Sequence, residues 1–116
     1  MQAEVYAQPG PTEVHTQRRR HVRMPFSVPI TLHYLIGGNV RASRGISVDI
    51  SEGGLGALVP GDLQIGETVE IDLPLQGCAL STVAIVRHCA NLRSGFEFLG
   101  LTPEERSQIA GAASYA

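Results

Sequence analysis

A chain of 116 residues can bury one modest core, so its function must sit on a single small scaffold. A formal net charge of −2 excludes a protein whose whole surface wraps nucleic acid or an acidic membrane. No stretch approaches the roughly 18 apolar residues of a membrane span, and the polar N-terminus lacks the order of a secretion signal, so the expected location is the cytoplasm.

Residues 1–17 hold Pro9, Gly10 and Pro11 among scattered polar residues without a sustained period, which predicts a flexible leader. Arg18, Arg19, Arg20 and Arg23 follow. All nine basic residues of the chain are arginine, and these four fall within six positions. From Phe26 the texture becomes alternating: Phe26, Val28, Ile30 and Leu32 share one face, which predicts a half-buried strand with Pro29 marking an edge or a bulge. Gly37, Gly38 and Asn39 supply a turn, and residues 40–50 read as a second strand. Ser51 to Gly54 is a tight turn, and residues 55–59 form a short strand ending at Pro60, Gly61 and Asp62. Residues 68–73 alternate Val69, Ile71 and Leu73 against polar partners, residues 80–89 are β-branched in their middle, Asn91 marks a turn, and residues 93–99 close the set.

Six short strands separated by glycine and proline turns predict an antiparallel barrel or sandwich, whose closure removes exposed edges. Thr102, Pro103, Glu104 and Glu105 then begin a helix in the expected order, a cap hydroxyl, a first-turn proline and acids near the positive end. It is expected to run to about residue 113.

Two short elements carry the chemistry. Arg19-Arg20-His21-Val22-Arg23 is an RxxxR element directly ahead of the first strand, and Asp49-Ile50-Ser51-Glu52-Gly53-Gly54 is a DxSxxG element at the turn after the second. The planar fork of arginine suits phosphate oxygens and the O6/N7 edge of guanine, which lysine cannot imitate. An arginine-for-lysine bias also arises from genome composition. Taken alone, an arginine cluster reads as a solvated tail, and DxSxxG as an ordinary turn.

Taken together, in this order and on opposite sides of a predicted hairpin, the two motifs resemble those of PilZ domains. The resemblance covers about residues 17–110, including Gly95-Phe96 and the terminal helix. It implies a mainly β fold, a six-stranded antiparallel barrel over about residues 24–100 with a short C-terminal helix, within a domain spanning 18–116. It further implies a receptor for cyclic di-GMP, with no cofactor and no enzymatic activity. The arginines would take phosphates and guanine acceptors, with charge-assisted hydrogen bonds of roughly 1.5 to 3 kcal/mol each. Asp49 would accept from a guanine N1/N2 edge, Ser51 would bond the ligand or hold the turn, and Gly53 and Gly54 complete the motif. Gly54 would allow close approach to a base or a positive φ. Arg23, as an exposed leader residue, is expected to matter for binding and little for stability.

Arg18, just ahead of the motif, resembles the position that distinguishes relatives binding a stacked pair of messengers, which implies two molecules per chain. Arg87 stands where many relatives carry an aromatic, and its guanidinium can stack on a purine. The expected output is a change of surface, driven by ordering of the arginine-rich segment, toward a protein effector in motility or exopolysaccharide production. A PilZ-like scaffold silent toward the messenger is one alternative. A β-barrel nucleic-acid binder is another, disfavoured by only three Phe and three Tyr; neither nucleic acid nor membrane insertion is expected. His15, His21, His33, His88, Cys78 and Cys89 show no metal-ligand spacing, and Ser51, His21 and Asp49 lack a nucleophile elbow.

Overall fold

A computed structural model of the chain describes residues 22–61 and 63–113. The chain forms β1 (Met24–Pro25), β2 (Pro29–Ile36), β3 (Asn39–Ile50), β4 (Gly54–Leu58), β5 (Thr68–Leu75), β6 (Cys78–Ala90), β7 (Arg93–Leu99) and α1 (Pro103–Ala113). Every pairing is antiparallel, in the order β1-β3-β2-β5-β6-β7-β4. The additional β3–β4 pairing closes β2 to β7 into the expected six-stranded barrel, and β1 is an extra two-residue strand on β3.

Alternation along each strand decides which side chains fill the barrel. Ile30, Leu32 and Tyr34 of β2, Val69, Ile71 and Leu73 of β5, Leu80, Ala84 and Val86 of β6, and Phe96 and Phe98 of β7 all point inward and are buried. Each fully buried Leu, Ile or Val among them contributes about 1.5 to 3 kcal/mol. Ile109 and Ala112 of α1 join the same core, which fixes the helix on the barrel. Its start is a reciprocal cap: Thr102 Oγ1 accepts from Glu105 N at 3.0 Å, and Glu105 Oε1 accepts from Thr102 N at 2.9 Å. The tight β2–β3 connection turns through Gly37 and Gly38, with φ of 57° and 82°, and Asn91 takes φ 56° between β6 and β7.

The start of the first barrel strand differs from the sequence expectation. Phe26 and Val28 keep the alternation yet precede β2, because the Ser47 side chain takes two of the bonds to β3 there, leaving Phe26 N to Val48 O and Ser47 N to Val28 O as backbone pairs. Ser47 Oγ accepts from Val28 N and donates to Phe26 O, at 2.9 and 2.5 Å. Pro29 marks neither an edge strand nor a bulge. It is the first residue of β2, which lies between β3 and β5.

Two irregularities shape one end of the barrel. A register shift on β3 between Ser47 and Asp49 skips Val48, and one on β6 between Val86 and His88 skips Arg87. The residues that resume the ladder, Asp49 and His88, stand on one row across four strands: Asp49, Gly56, Gly95, His88.

Candidate functional site

That row carries little side chain at its centre. A Cβ on Gly56 would lie 2.7 Å from Asp49 Oδ1, and a Cβ on Gly95 would lie 3.3 Å from His88 Cβ. The Asp49 carboxylate therefore lies over Gly56. Two guanidinium groups hold it. Arg23 Nη1 donates to Oδ1 at 2.7 Å, and Arg93 Nη2 donates to Oδ2 at 3.2 Å. Asp49 keeps 21% of its side-chain exposure and Arg23 27%, so this is a half-buried ion pair rather than a surface one. The RxxxR and DxSxxG elements are thus joined by a direct bond between Arg23 and Asp49.

The turn of the second motif is organised by its serine. Ser51 Oγ accepts from the Gly53 and Gly54 amides at 3.1 and 3.2 Å, and Ser51 N donates to Gly54 O at 2.9 Å. Of the two roles expected of Ser51, holding the turn is the one seen. Gly53 O accepts from Phe98 N at 3.0 Å, which ties the turn to the end of β7. Gly54 differs from expectation: it is absent from the residues of positive φ, and a Cβ there would collide with the carbonyl oxygen of Phe96. Close packing of β4 on β7 requires this glycine.

Beside the turn opens a cleft of about 640 Å³, within the range of small-molecule sites. Of the sequence-derived candidates, Arg23, Ser51, Gly53 and Arg87 line it. Asp49 and Gly54 are not among the lining residues. Asp49 reaches the cleft through Arg23, and Gly54 supports its floor from within the sheet. Arg18, Arg19 and Arg20 lie outside the described residues. The bulge at Arg87 has a direct consequence. It breaks the in–out alternation, so that Arg87 and His88 are both exposed and both face the cleft. Arg87 Nε donates to Glu97 Oε1 at 2.7 Å, in a contact more than half exposed on both sides.

Sequence reading missed Glu52, His88, Glu97 and Arg106 as cleft residues, and Arg93 and Gly56 as the seat of Asp49. Arg106, from α1, brings a third guanidinium to the cleft with Arg23 and Arg87, against the carboxylates of Glu52 and Glu97. Away from the cleft, Ser81 and His33 donate to the two Asp72 oxygens at 2.7 and 2.8 Å, and the Ser81 bond foremost, with His33, holds that carboxyl below its ordinary value. Among the described residues, no three His, Cys, Asp or Glu side chains converge as a metal site, and no helix is long and apolar enough to cross a membrane.

The arrangement lines one cleft with three forked cations, Arg23, Arg87 and Arg106, whose chemistry suits an anionic ligand. Comparison with known proteins gives a consistent picture. The sequence profile of the PilZ domain family matches residues 17–113. The PilZ domain of YcgR from Escherichia coli, solved with c-di-GMP, superposes with a TM-score of 0.67 at 23% identity, covering 85% of this chain and 91% of that one. The PilZ domain of CeSA from a cellulose-synthesizing bacterium gives 0.63 at 21% identity, covering 81% and 96%. The Bacillus subtilis inhibitor of motility, MotI/DgrA, gives 0.68 at 21% identity, and the match spans 85% of this chain and 50% of that one. Among curated protein sequences, none matches the chain significantly.

Proposed function

Since the chain belongs to the PilZ domain family, we propose that it is a receptor that captures cyclic di-GMP in the cleft beside the Ser51–Gly54 turn and performs no covalent chemistry. The observation that carries this reading is the placement of Arg23 and the DxSxxG turn on one cleft wall, joined through Asp49. The YcgR domain of similar fold was solved with the same messenger.

The residues divide the ligand's chemistry between them. Arg23 and the arginines ahead of it neutralise phosphodiester oxygens or grip guanine O6 and N7, and Asp49 accepts from a guanine N1/N2 edge. A carboxylate has about four lone-pair positions, so two arginine contacts leave Asp49 with capacity to accept more. The Ser51 hydroxyl accepts from two amides and keeps its own proton to donate. Arg87 and Arg106 add positive charge to the same cleft, Arg87 as a surface on which a purine stacks.

Arg18 places a further cation ahead of the motif, and on that ground two messenger molecules bind per chain. Their phosphates repel, and the run Arg18, Arg19, Arg20 and Arg23 offsets that repulsion. Capture orders this arginine segment over the cleft, and the altered face is read by a protein effector. Calorimetric titration with cyclic di-GMP, against GMP and GTP controls, tests the reading. Saturable binding of cyclic di-GMP with two per chain, falling toward one in Arg18→Ala, supports it. Equal or tighter binding of GTP refutes it, and a wild-type plateau at one refutes the Arg18 assignment.

A further inference from the structure

Asp49 is shared between two arginines that come from opposite ends of the chain and are not equivalent. Arg23 lines the cleft and belongs to the motif that meets the ligand, whereas Arg93 opens β7 and is absent from the cleft lining. Each takes a different oxygen, Arg23 at 2.7 Å and Arg93 at 3.2 Å. Room for the arrangement comes from Gly56, where a Cβ would lie 2.7 Å from Asp49 Oδ1 and 3.4 Å from Arg93 Nη2. Register explains why Arg93 can reach. It pairs with Leu58 on β4, two residues along from Gly56, whose own partner on β3 is Asp49.

This geometry creates a conflict for ligand capture that Arg93 resolves. If Arg23 turns to a phosphate or a guanine, it leaves a carboxylate that is only 21% exposed. Leaving such a group without a counter-ion is costly. With Arg93 in place, Asp49 keeps a counter-ion and remains ionised and oriented.

We propose that Arg93 is a positioning residue of the messenger site: it retains Asp49 on Oδ2 while Arg23 is released to the ligand. The inference rests on the receptor reading above and adds to it a residue outside both motifs. It predicts that Arg93 affects affinity through Asp49 and without touching the messenger.

The test is cyclic di-GMP titration of wild type, Arg93→Met, Arg93→Lys, Asp49→Asn and the double variant Asp49→Asn/Arg93→Met. Arg93→Met should weaken binding about tenfold, the scale of one charge-assisted hydrogen bond. Arg93→Lys, which keeps a cation beside Oδ2, should recover affinity to within about threefold of wild type. In the Asp49→Asn background, the Arg93→Met change should have no further effect, since the charge it serves is gone. Wild-type affinity in Arg93→Met overturns the inference and leaves the receptor reading standing. The same is true of a loss that Arg93→Lys does not recover, or of one that repeats in full without Asp49. A wild type that does not bind the messenger sinks the receptor reading, and this inference with it. If Arg93→Met unfolds, Arg93→Lys decides: a loss well beyond threefold in a folded Lys variant overturns the inference.

Discussion

Substituting Gly56 by alanine separates the site from the scaffold more cleanly than any charge deletion. The new Cβ would stand 2.7 Å from Asp49 Oδ1, so the oxygen must retreat by roughly 0.7 Å to regain ordinary van der Waals contact. A shift of that size stretches the Arg23 contact, now 2.7 Å, to about 3.4 Å, beyond the usual N–H···O distance, and carries the carboxylate off the position from which it would accept a guanine edge. A displaced Asp49 forfeits its own charge-assisted bond to the guanine edge, about 1.5 to 3 kcal/mol, which corresponds to roughly ten- to a hundredfold weaker messenger binding. The fold itself should hold, because the obstacle is a side chain that can move, and the thermal midpoint should stay within about 5 °C of wild type. Gly54→Ala is the control. Its Cβ meets the backbone carbonyl of Phe96, which cannot yield without parting β4 from β7, so it should lose about 2 kcal/mol and roughly 10 °C. Calorimetry for affinity and thermal melts for stability read both variants. Wild-type affinity in Gly56→Ala, or destabilisation as large as in Gly54→Ala, would refute the claim that this space exists to seat Asp49.

Arg23→Ala should cut messenger binding at least tenfold and also lower the melting midpoint of the free protein by roughly 5 °C, the scale of 1 kcal/mol in a domain this size. The stability loss departs from what an exposed leader arginine implies, since Arg23 is only 27% exposed and bonded to Asp49; an unmoved midpoint would show that the pair adds nothing. The Asp72 carboxyl is depressed by Ser81 and His33, so it contributes stability that is present above its unfolded value and lost as pH falls through the lower, folded value. Asp72→Asn should therefore flatten the acid limb of the stability curve below about pH 4, and identical limbs in denaturant titrations would remove the group from the account.

How far the sequence speaks depends on the range of each interaction. Alternation in Val69, Ile71 and Leu73, and the Thr102–Glu105 cap, are local, and both were legible. The same local rule misplaced the start of β2, because Phe26 and Val28 alternate correctly while the hydroxyl of Ser47, some 20 positions on, takes two of their backbone bonds, those of Val28 N and Phe26 O. The two motifs single out Arg23, Ser51 and Gly53, and the structure places all three on one cleft. Nothing in the run Ile85-Val86-Arg87-His88 announces which residue the opposite strand will skip, so the shared exposure of Arg87 and His88 could not be read. Arg93 was illegible for a similar reason, since its bond to Asp49 depends on the pairing of β4 with β7. The motif marks Gly54, but the Phe96 carbonyl that a Cβ there would meet belongs to the β4–β7 pairing and is not visible in the sequence.

The central claim is that cyclic di-GMP occupies the cleft between the Ser51–Gly54 turn and the Arg87 bulge. Amide chemical-shift mapping during a cyclic di-GMP titration tests it most directly, since it locates the ligand without any substitution. The account predicts saturable shifts at Ser51, Gly53, His88 and Gly95, with little change at Thr31 and Ser81 on the Asp72 face. Shifts confined to that second face, or none at messenger concentrations that saturate other receptors, would contradict it.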